Sequence, residues 1–214
     1  MTPSREDYIK FIYGQNQKKI KVTNKKIAEE LKISPPSVTE MLNKLVEADQ
    51  IIKDSTLRYT LTKEGTRIAQ TLIRKHRLWE VFLVNYLGYD WEDVHADAEV
   101  LEHATSDYLS ERLNEFLQYP EYCPHGSIIF GNTEETKETI FKLSEINLHE
   151  SVVITEVVDD RVFLEYLSHK NISVGDVITL VAISNYDATR TLKVDDRLVE
   201  ISNQAAEEIF IRKM

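Results

Sequence analysis

The sequence has 214 residues, of which 42% are hydrophobic and 29% charged, a globular composition with room for two or three small domains. No apolar run approaches the ~20 residues that cross a bilayer, and the N-terminus lacks the apolar stretch of a secretory signal. Cys123 is the single cysteine, which excludes an intramolecular disulfide framework and fits a reducing compartment. We therefore expect a cytoplasmic protein.

The net charge of −10 is distributed unevenly along the chain. Residues 1–65 contain 12 Lys and Arg against 9 Asp and Glu, a net charge of +3, so the remaining 149 residues carry −13. Binding to phosphate groups needs local positive charge rather than a basic protein. The N-terminal part is therefore compatible with binding nucleic acid.

The first 48 residues predict three short helices. Residues 4–16 have helical spacing of apolar side chains after Ser4, a residue type that caps helices. A second helix covers residues 22–31, and a third begins at Ser34-Pro35-Pro36, where proline in the first turn costs no hydrogen bond. The tight turn between the last two predicts a helix-turn-helix motif that presents its second helix to the major groove.

Residues 50–63 alternate polar and apolar side chains around a turn at Asp54-Ser55-Thr56, which predicts a two-stranded wing. This order of elements favours double-stranded DNA as the partner over a protein-binding or purely architectural role. The side chains that we expect to face the groove are Ser34, Pro36, Ser37, Thr39, Glu40 and Asn43. Those that we expect to contact phosphates are Lys25, Lys26, Lys44 and Arg58.

Residues 66–119 have helical periodicity throughout, with more apolar side chains than one small helical layer can bury. The excess predicts a homodimer interface, which would also allow two recognition helices to reach two half-sites. Residues 126–143 are richer in turn formers and charges, and we interpret them as a linker with a little local structure.

The helical region also groups nitrogen, oxygen and sulfur donors that can bind a metal ion. Offsets of 4, 7 and 8 residues place four side chains on one helix face, although such residues are also common on solvated faces. These four are His95, Glu99, Glu102 and His103. Further donors are the pair His76 and Glu80, four residues apart, and Cys123 and His125 on either side of Pro124.

From residue 151 the periodicity changes to that of short strands, which predicts a small antiparallel β-barrel. The predicted strands cover residues 151–157, 162–166, 177–181, 191–194, 198–201 and 209–211.

In combination, Asp7, the Glu99-Glu102-His103 helix and Cys123-Pro124-His125-Gly126 make the whole chain resemble the diphtheria-toxin-repressor family, and within it the streptococcal manganese-dependent regulators. The resemblance implies a mainly α protein with a small β domain. Its three parts are an N-terminal winged-helix DNA-binding domain at 1–70, a helical metal-binding and dimerisation domain with a linker at 71–143, and a C-terminal SH3-like β-barrel domain at 144–214.

The resemblance also implies two Mn²⁺ sites per chain. The first consists of Asp7, His76, Glu99, Glu102 and His103. The second consists of Glu80, Cys123 and His125 with an oxygen donor from the third domain, for which our candidate is Asp160. His95 matches a ligand of iron-sensing members and has no assigned site. The oxygen donors Asp7 and Glu99 suit Mn²⁺, whereas Cys123 makes the second site softer and able to accept Zn²⁺ or Fe²⁺ in vitro.

The function that the resemblance implies is a Mn²⁺-dependent transcriptional repressor, not an enzyme. It would bind inverted-repeat operators of metal-uptake genes when metal ties the DNA-binding head to the dimer core. One alternative is a winged-helix regulator that responds to Fe²⁺, Zn²⁺ or an organic ligand. Another is a metallohydrolase with a metal-bound water as nucleophile, for which the sequence contains no supporting HExxH motif or phosphate-binding glycine-rich loop.

Overall fold

The structure is a computed structural model that describes residues 4–133 and 140–214. The chain divides between Lys75 and His76 into two compact units, and this division falls inside one long helix, α4 (Lys63–Leu87). The finer predicted boundary at residue 143 stays a prediction. Among the described residues, no helix combines the length and apolar character that crossing a membrane requires.

The N-terminal unit is the predicted winged helix-turn-helix. Three helices precede a two-stranded antiparallel hairpin in which Ile51 lies opposite Leu61. Each helix starts where the sequence supplies a hydroxyl cap, since Ser4, Thr23 and Ser34 each accept a hydrogen bond from the backbone N–H three residues later. The elements are α1 (Arg5–Gln17), α2 (Asn24–Glu30), α3 (Pro35–Glu47), β1 (Ile51–Asp54), β2 (Arg58–Leu61) and the first half of α4.

The core of this unit comes from one face of each helix. Its fully buried side chains include Ile9, Ile12, Ile27, Val38 and Leu45. The spacing of Val38, Leu42 and Leu45 on α3 turns the opposite face of that helix to solvent, as predicted.

Gly14 lies inside α1, where a methyl group at its Cα would meet no atom within 4 Å. We expect Gly14→Ala to raise the free energy of unfolding by about 0.5–1 kcal/mol, because alanine loses less backbone entropy in a helix. Urea denaturation measures this. Gly65→Ala is the matched control, since its new methyl group would lie 2.1 Å from the carbonyl oxygen of Gln50 and should destabilise the protein. A loss of stability in Gly14→Ala would contradict the expectation.

The second unit begins with the remainder of α4, followed by α5 (His95–Ala104) and α6 (Asp107–Phe116). The prediction of helix throughout residues 66–119 is wrong at two places. Gly88 adopts a φ of +72° and ends α4 before a turn that runs to residue 94. Ser106 has an extended backbone and its hydroxyl caps α6, so α5 and α6 are separate helices.

The predicted linker at 126–143 begins with more structure than expected. Its first residues are folded against the helical region, since Ile129 is completely buried and Tyr122 pairs with Ile128 in an isolated β-bridge. Residues 134–139 lie outside the described residues. Beyond them, β3 (Phe141–Lys142) joins the C-terminal sheet.

The C-terminal part contains a six-stranded antiparallel sheet, in agreement with the predicted SH3-like domain. The strand order is β3-β8-β4-β5-β6-β7. The further strands are β4 (Ser151–Val157), β5 (Val177–Ile183), β6 (Arg190–Val194), β7 (Arg197–Ile201) and β8 (Ile209–Lys213). A short 3-10 helix (Leu143–Glu145) and α8 (Asn203–Glu207) accompany them.

The predicted strand at 162–166 is instead part of a helix, α7 (Arg161–Lys170). Asp160 caps this helix by accepting a hydrogen bond from the N–H of Phe163 at 3.0 Å. Phe163, Leu164 and Leu167 are buried at helical spacing. The run of aromatic and β-branched residues favours a strand locally, but burial of this one helical face in the domain core decides the outcome.

Strands β3 and β7 form the two edges of the sheet. β3 is only two residues long. Arg197 at the start of β7 donates hydrogen bonds to the carbonyl oxygens of Lys170 and Asn171 at the end of α7, which fixes its charged side chain beside the edge.

Candidate metal centre and DNA-facing surface

His76 on α4 is held between two buried carboxylates. Its Nδ1 lies 2.6 Å from Glu102 on α5, and its Nε2 lies 3.1 Å from Glu80 one turn further along α4. Glu80 and Glu102 are each only 1% exposed. Burying a charged carboxylate costs free energy unless a positive group lies beside it. These two carboxylates therefore need either protons on the neighbouring groups or a metal ion.

Glu80 also faces the Cys123-Pro124-His125 segment. Its Oε1 lies 3.3 Å from Nδ1 of His125, and that nitrogen lies 4.0 Å from the sulfur of Cys123. Burial opposes the charged form of His125, but hydrogen bonds with Cys123 and Glu80 and nearby negative charge raise its pKa to about 11. Burial also favours the neutral form of Glu80, yet its hydrogen bonds with His125 and His76 lower its pKa well below the usual range.

The thiol of Cys123 is buried as well. Burial, together with the charge of Glu80, raises the pKa of Cys123 above its ordinary value. The metal-free protein therefore holds this sulfur as a thiol, and binding of a metal ion at Cys123 requires loss of that proton.

In the C-terminal part, Asp159 rather than the predicted Asp160 lies beside these candidate donors. The Oδ2 of Asp159 lies 2.7 Å from Nδ1 of His95, and its Oδ1 lies 3.9 Å from Nδ1 of His125. The carboxylate of Asp160 instead caps α7, and Asp160 is in none of the donor groups found among the described residues, so its role as a ligand stays a prediction. His95, which had no assigned metal site, thus lies next to Asp159.

A matched pair of variants tests which of the two aspartates is the metal donor. We expect Asp159→Ala to lower the affinity for Mn²⁺ by at least about tenfold, because it removes a donor of the cluster. Asp160→Ala should leave the affinity unchanged and lower the free energy of unfolding by about 1 kcal/mol, the usual cost of a lost helix cap. Competition with a metal-responsive dye measures the affinity, and urea denaturation measures stability. The reverse pattern would restore Asp160 as the donor.

The remaining predicted donors of the second unit cluster on α5. Glu99, Glu102 and His103 offer atoms that lie within 4.8 Å of one another. Glu102 is buried, whereas the side chain of Glu99 is 41% exposed. Asp7 lies in the N-terminal unit, where its carboxylate accepts a hydrogen bond from the N–H of Ser4 at 2.5 Å in a capping box.

These donors, some buried and some exposed, fit a divalent metal ion. Two ligands that each lie about 2.2 Å from one ion are at most about 4.4 Å apart, close to the 4.8 Å within which each candidate group falls. The groups combine imidazole nitrogen, carboxylate oxygen and thiol sulfur, a mixture that accepts several divalent transition metals. Two such groups within the second unit are His76, Glu80, His95 and Asp159, and Glu80, Cys123 and His125.

All ten predicted DNA-facing side chains are exposed. They are Lys25, Lys26, Ser34, Pro36, Ser37, Thr39, Glu40, Asn43, Lys44 and Arg58. Two of the lysines have carboxylate neighbours one helical turn away, since Lys44 lies 2.7 Å from Glu40 and Lys25 lies 3.7 Å from Glu29. A phosphate group must compete with these carboxylates for the two ammonium groups.

Comparison with known sequences assigns the chain to a family. Residues 1–52 match the iron-dependent repressor N-terminal DNA-binding domain, residues 62–131 the iron-dependent repressor metal-binding and dimerisation domain, and residues 141–213 the FeoA domain. The HTH-type transcriptional regulator MntR of Listeria monocytogenes is 34% identical over 141 residues, which cover 64% of this chain and 99% of MntR. The chain belongs to the iron-dependent repressor family.

Other known proteins match different shares of this chain. The structure of the manganese regulator SloR is 37% identical, superposes with a TM-score of 0.81 and covers the full length of both chains. The iron-dependent repressor IdeR of Mycobacterium tuberculosis is 33% identical over 135 residues. That match covers 63% of this chain and 58% of IdeR, which is less than two thirds of its length.

Proposed function

We propose that the protein is a Mn²⁺-dependent transcriptional repressor that binds inverted-repeat operators of metal-uptake genes as a homodimer in the cytoplasm. The observation that carries this proposal is the cluster of candidate metal donors around the buried Glu80, in the same chain as an exposed recognition helix. The family match supports it, since the matched domains bind DNA and bind metal. The similar SloR structure is that of a manganese regulator.

The choice of Mn²⁺ over other metals is part of the proposal. Glu99, Glu102 and Asp159 supply oxygen atoms, which suit Mn²⁺, while Cys123 adds one soft donor that also suits Zn²⁺ or Fe²⁺. Mn²⁺ is the weakest binder of the first-row series, so its selection in the cell depends on geometry and availability. We keep Asp7 in the proposed ligand set on the strength of the sequence resemblance alone.

The donors come from separate segments of the second unit, and this gives a mechanism. When bound, a divalent ion supplies positive charge that offsets the crowded carboxylates. Glu80 lies on α4, Glu102 on α5, His125 in the segment after α6, and Asp159 directly before α7. Holding all four fixes these segments relative to one another, whereas without metal neighbouring histidines balance the carboxylates.

Metal control of DNA binding requires that the metal ion bind more tightly to the arrangement of the protein that is competent to bind DNA than to the arrangement that is not. A shift from 1% to 99% competent needs a difference in metal affinity of about 5.5 kcal/mol between the two arrangements. Several protein donors acting together can supply a difference of this size, since structural Zn²⁺ sites contribute about 10 kcal/mol or more to folding and roughly half of that is enough here.

Capture of genomic DNA tests the proposal. The metal-stripped full-length chain is mixed with sheared genomic DNA, with and without added Mn²⁺, and the retained fragments are sequenced. We expect enrichment of a few inverted-repeat sites only with Mn²⁺. Asn43→Ala is the control for the recognition surface, because Asn43 is exposed on α3 and outside the metal cluster. This variant should bind Mn²⁺ normally and lose the enrichment.

Two outcomes would contradict the proposal in different ways. Equal enrichment with and without metal would leave a DNA-binding protein but remove metal control. Retention of no specific DNA in either condition, with Mn²⁺ binding intact, would remove the repressor function and reopen the hydrolase alternative.

A further inference from the structure

Trp91 connects the metal cluster with helix α7. It lies in the turn between α4 and α5, and its indole packs against the core of the C-terminal sheet. Its Nε1–H donates a hydrogen bond to the hydroxyl of Ser168 on α7 at 2.8 Å. That hydroxyl in turn donates to Glu92 at 3.2 Å.

The backbone carbonyl of Trp91 lies 2.9 Å from Nε2 of His125. A carbonyl oxygen only accepts hydrogen bonds, so Nε2 must carry a proton. The other ring nitrogen, Nδ1, is therefore the one available to bind a metal ion, and it is the nitrogen that faces Glu80 and Cys123. The indole of Trp91 also stacks on the imidazole, with ring centroids 5.9 Å apart and planes inclined by 30°.

Helix α7 is thus attached to the cluster at both ends. Directly before its first turn, Asp159 contacts His95 and faces His125. Near its last turn, Ser168 accepts from the indole of Trp91. A displacement of His125 is therefore expected to shift both ends of α7.

We propose that Trp91 is a positioning residue for the metal cluster. Its carbonyl orients His125 so that Nδ1 faces the other donors, and its indole couples the position of His125 to α7 through Ser168. This inference rests on the proposed metal dependence of the protein. It predicts that metal binding slows opening of α7 and changes the environment of Trp91. A residue that only stabilised the fold would give neither signal in a metal-dependent way.

The chain offers a direct spectroscopic test, because it contains only two tryptophans, Trp79 and Trp91. Trp79 donates to the hydroxyl of Thr105 at 2.7 Å and serves as the control. Full-length wild type, Trp79→Phe, Trp91→Phe and Ser168→Ala are titrated with Mn²⁺. Free Mn²⁺ is measured by electron paramagnetic resonance, together with tryptophan emission and hydrogen exchange across residues 161–170.

We expect Mn²⁺ to change the emission of wild type and Trp79→Phe and to slow exchange across α7 in both. Trp91→Phe keeps the backbone carbonyl but loses the indole that stacks on His125 and hydrogen-bonds to Ser168. It should therefore lose the emission change and bind Mn²⁺ about 10-fold more weakly, the lower end of the effect of residues that orient metal ligands. Ser168→Ala keeps the stacked indole and should still bind Mn²⁺. In this variant, however, the factor by which Mn²⁺ slows hydrogen exchange across α7 should be at least about tenfold smaller than in wild type.

Three outcomes would overturn the inference. An emission change that survives in Trp91→Phe, or a slowing of exchange that Ser168→Ala retains in full, would overturn it while leaving the proposed function intact. A wild-type chain that binds no Mn²⁺ would overturn both. If Trp91→Phe does not fold, Ser168→Ala and Trp79→Phe still decide the question.

Discussion

Glu80→Gln is expected to lower the affinity for Mn²⁺ by at least about 100-fold and to abolish metal-dependent DNA binding. Glu80 belongs to two of the groups of donors, one with His76 and one with Cys123 and His125, so its loss affects both. Substitution of residues that only orient the metal ligands already lowers the metal affinity by about 10–100-fold. The amide can still accept a hydrogen bond, but it brings no negative charge to the buried histidines.

The same substitution should remove the stabilisation that bound Mn²⁺ gives to the folded state. A ligand present at 100 times its Kd stabilises the folded state by about 2.7 kcal/mol, and Glu80→Gln should lose this gain at the same Mn²⁺ concentration. The metal-free variant is also expected to be less stable than wild type by about 3–5 kcal/mol, the cost of removing one partner of a buried ion pair. Thermal denaturation with and without Mn²⁺ measures both effects.

The control for Glu80→Gln is Glu115→Gln on α6. Its side chain is 52% exposed and pairs with Arg112 on the surface, so the same chemical change there should alter neither affinity nor stability by a measurable amount. Wild-type Mn²⁺ affinity in Glu80→Gln would show that this carboxylate is not a ligand.

Gly126→Ala is expected to destabilise the protein by about 3 kcal/mol or more. A methyl group at Gly126 would lie 2.0 Å from the carbonyl oxygen of Thr155 and 2.8 Å from the Cα of Glu156. Both are backbone atoms of β4, so neither can move aside alone. The φ of +87° adds the strain of a backbone conformation that alanine rarely adopts.

Gly88→Ala separates the two contributions to this effect. Gly88 has a similar φ of +72°, but a methyl group there would meet no atom within 4 Å. This variant should lose only the conformational part, about 1–2 kcal/mol. Urea denaturation of both variants gives the difference. Equal losses would mean that the close approach to β4 contributes nothing.

Gly126 also bears on the metal cluster. The carbonyl of the preceding residue, His125, accepts a hydrogen bond from the N–H of Val157 at 3.0 Å. Displacing this segment from β4 would therefore move His125 with it. We expect the Mn²⁺ affinity of Gly126→Ala to fall together with its stability, whereas Gly88→Ala should keep its affinity.

Much of the N-terminal unit was predictable because its signals are local. Ser4, Thr23 and Ser34 are caps that act on backbone groups three residues away, and a hairpin pairs neighbouring residues. The C-terminal part is held by contacts that are distant in the sequence. Residues 162–166 favour a strand by composition, and only the packing of Leu164 and Leu167 into the distant sheet makes them helical.

The wrongly predicted strand also hid the difference between Asp159 and Asp160. If residues 162–166 are taken as a strand, Asp159 and Asp160 are equivalent turn residues. Once the segment is recognised as a helix, an aspartate directly before it is a natural cap, which leaves Asp159 for the cluster. The helical spacing of His76, Glu80, Glu99 and Glu102 was visible in the sequence. Which of these meets His125 depends on how α4, α5 and the segment after α6 pack together.

The two edges of the C-terminal sheet have a consequence for aggregation. An exposed edge strand is a template on which a strand of another molecule can extend the sheet. In the described part of the chain, β3 is too short to offer much of a template, and Arg197 places a fixed positive charge beside β7. Strand addition is thereby discouraged at both edges, so a macromolecule that binds this domain is expected to recognise its side chains rather than its backbone.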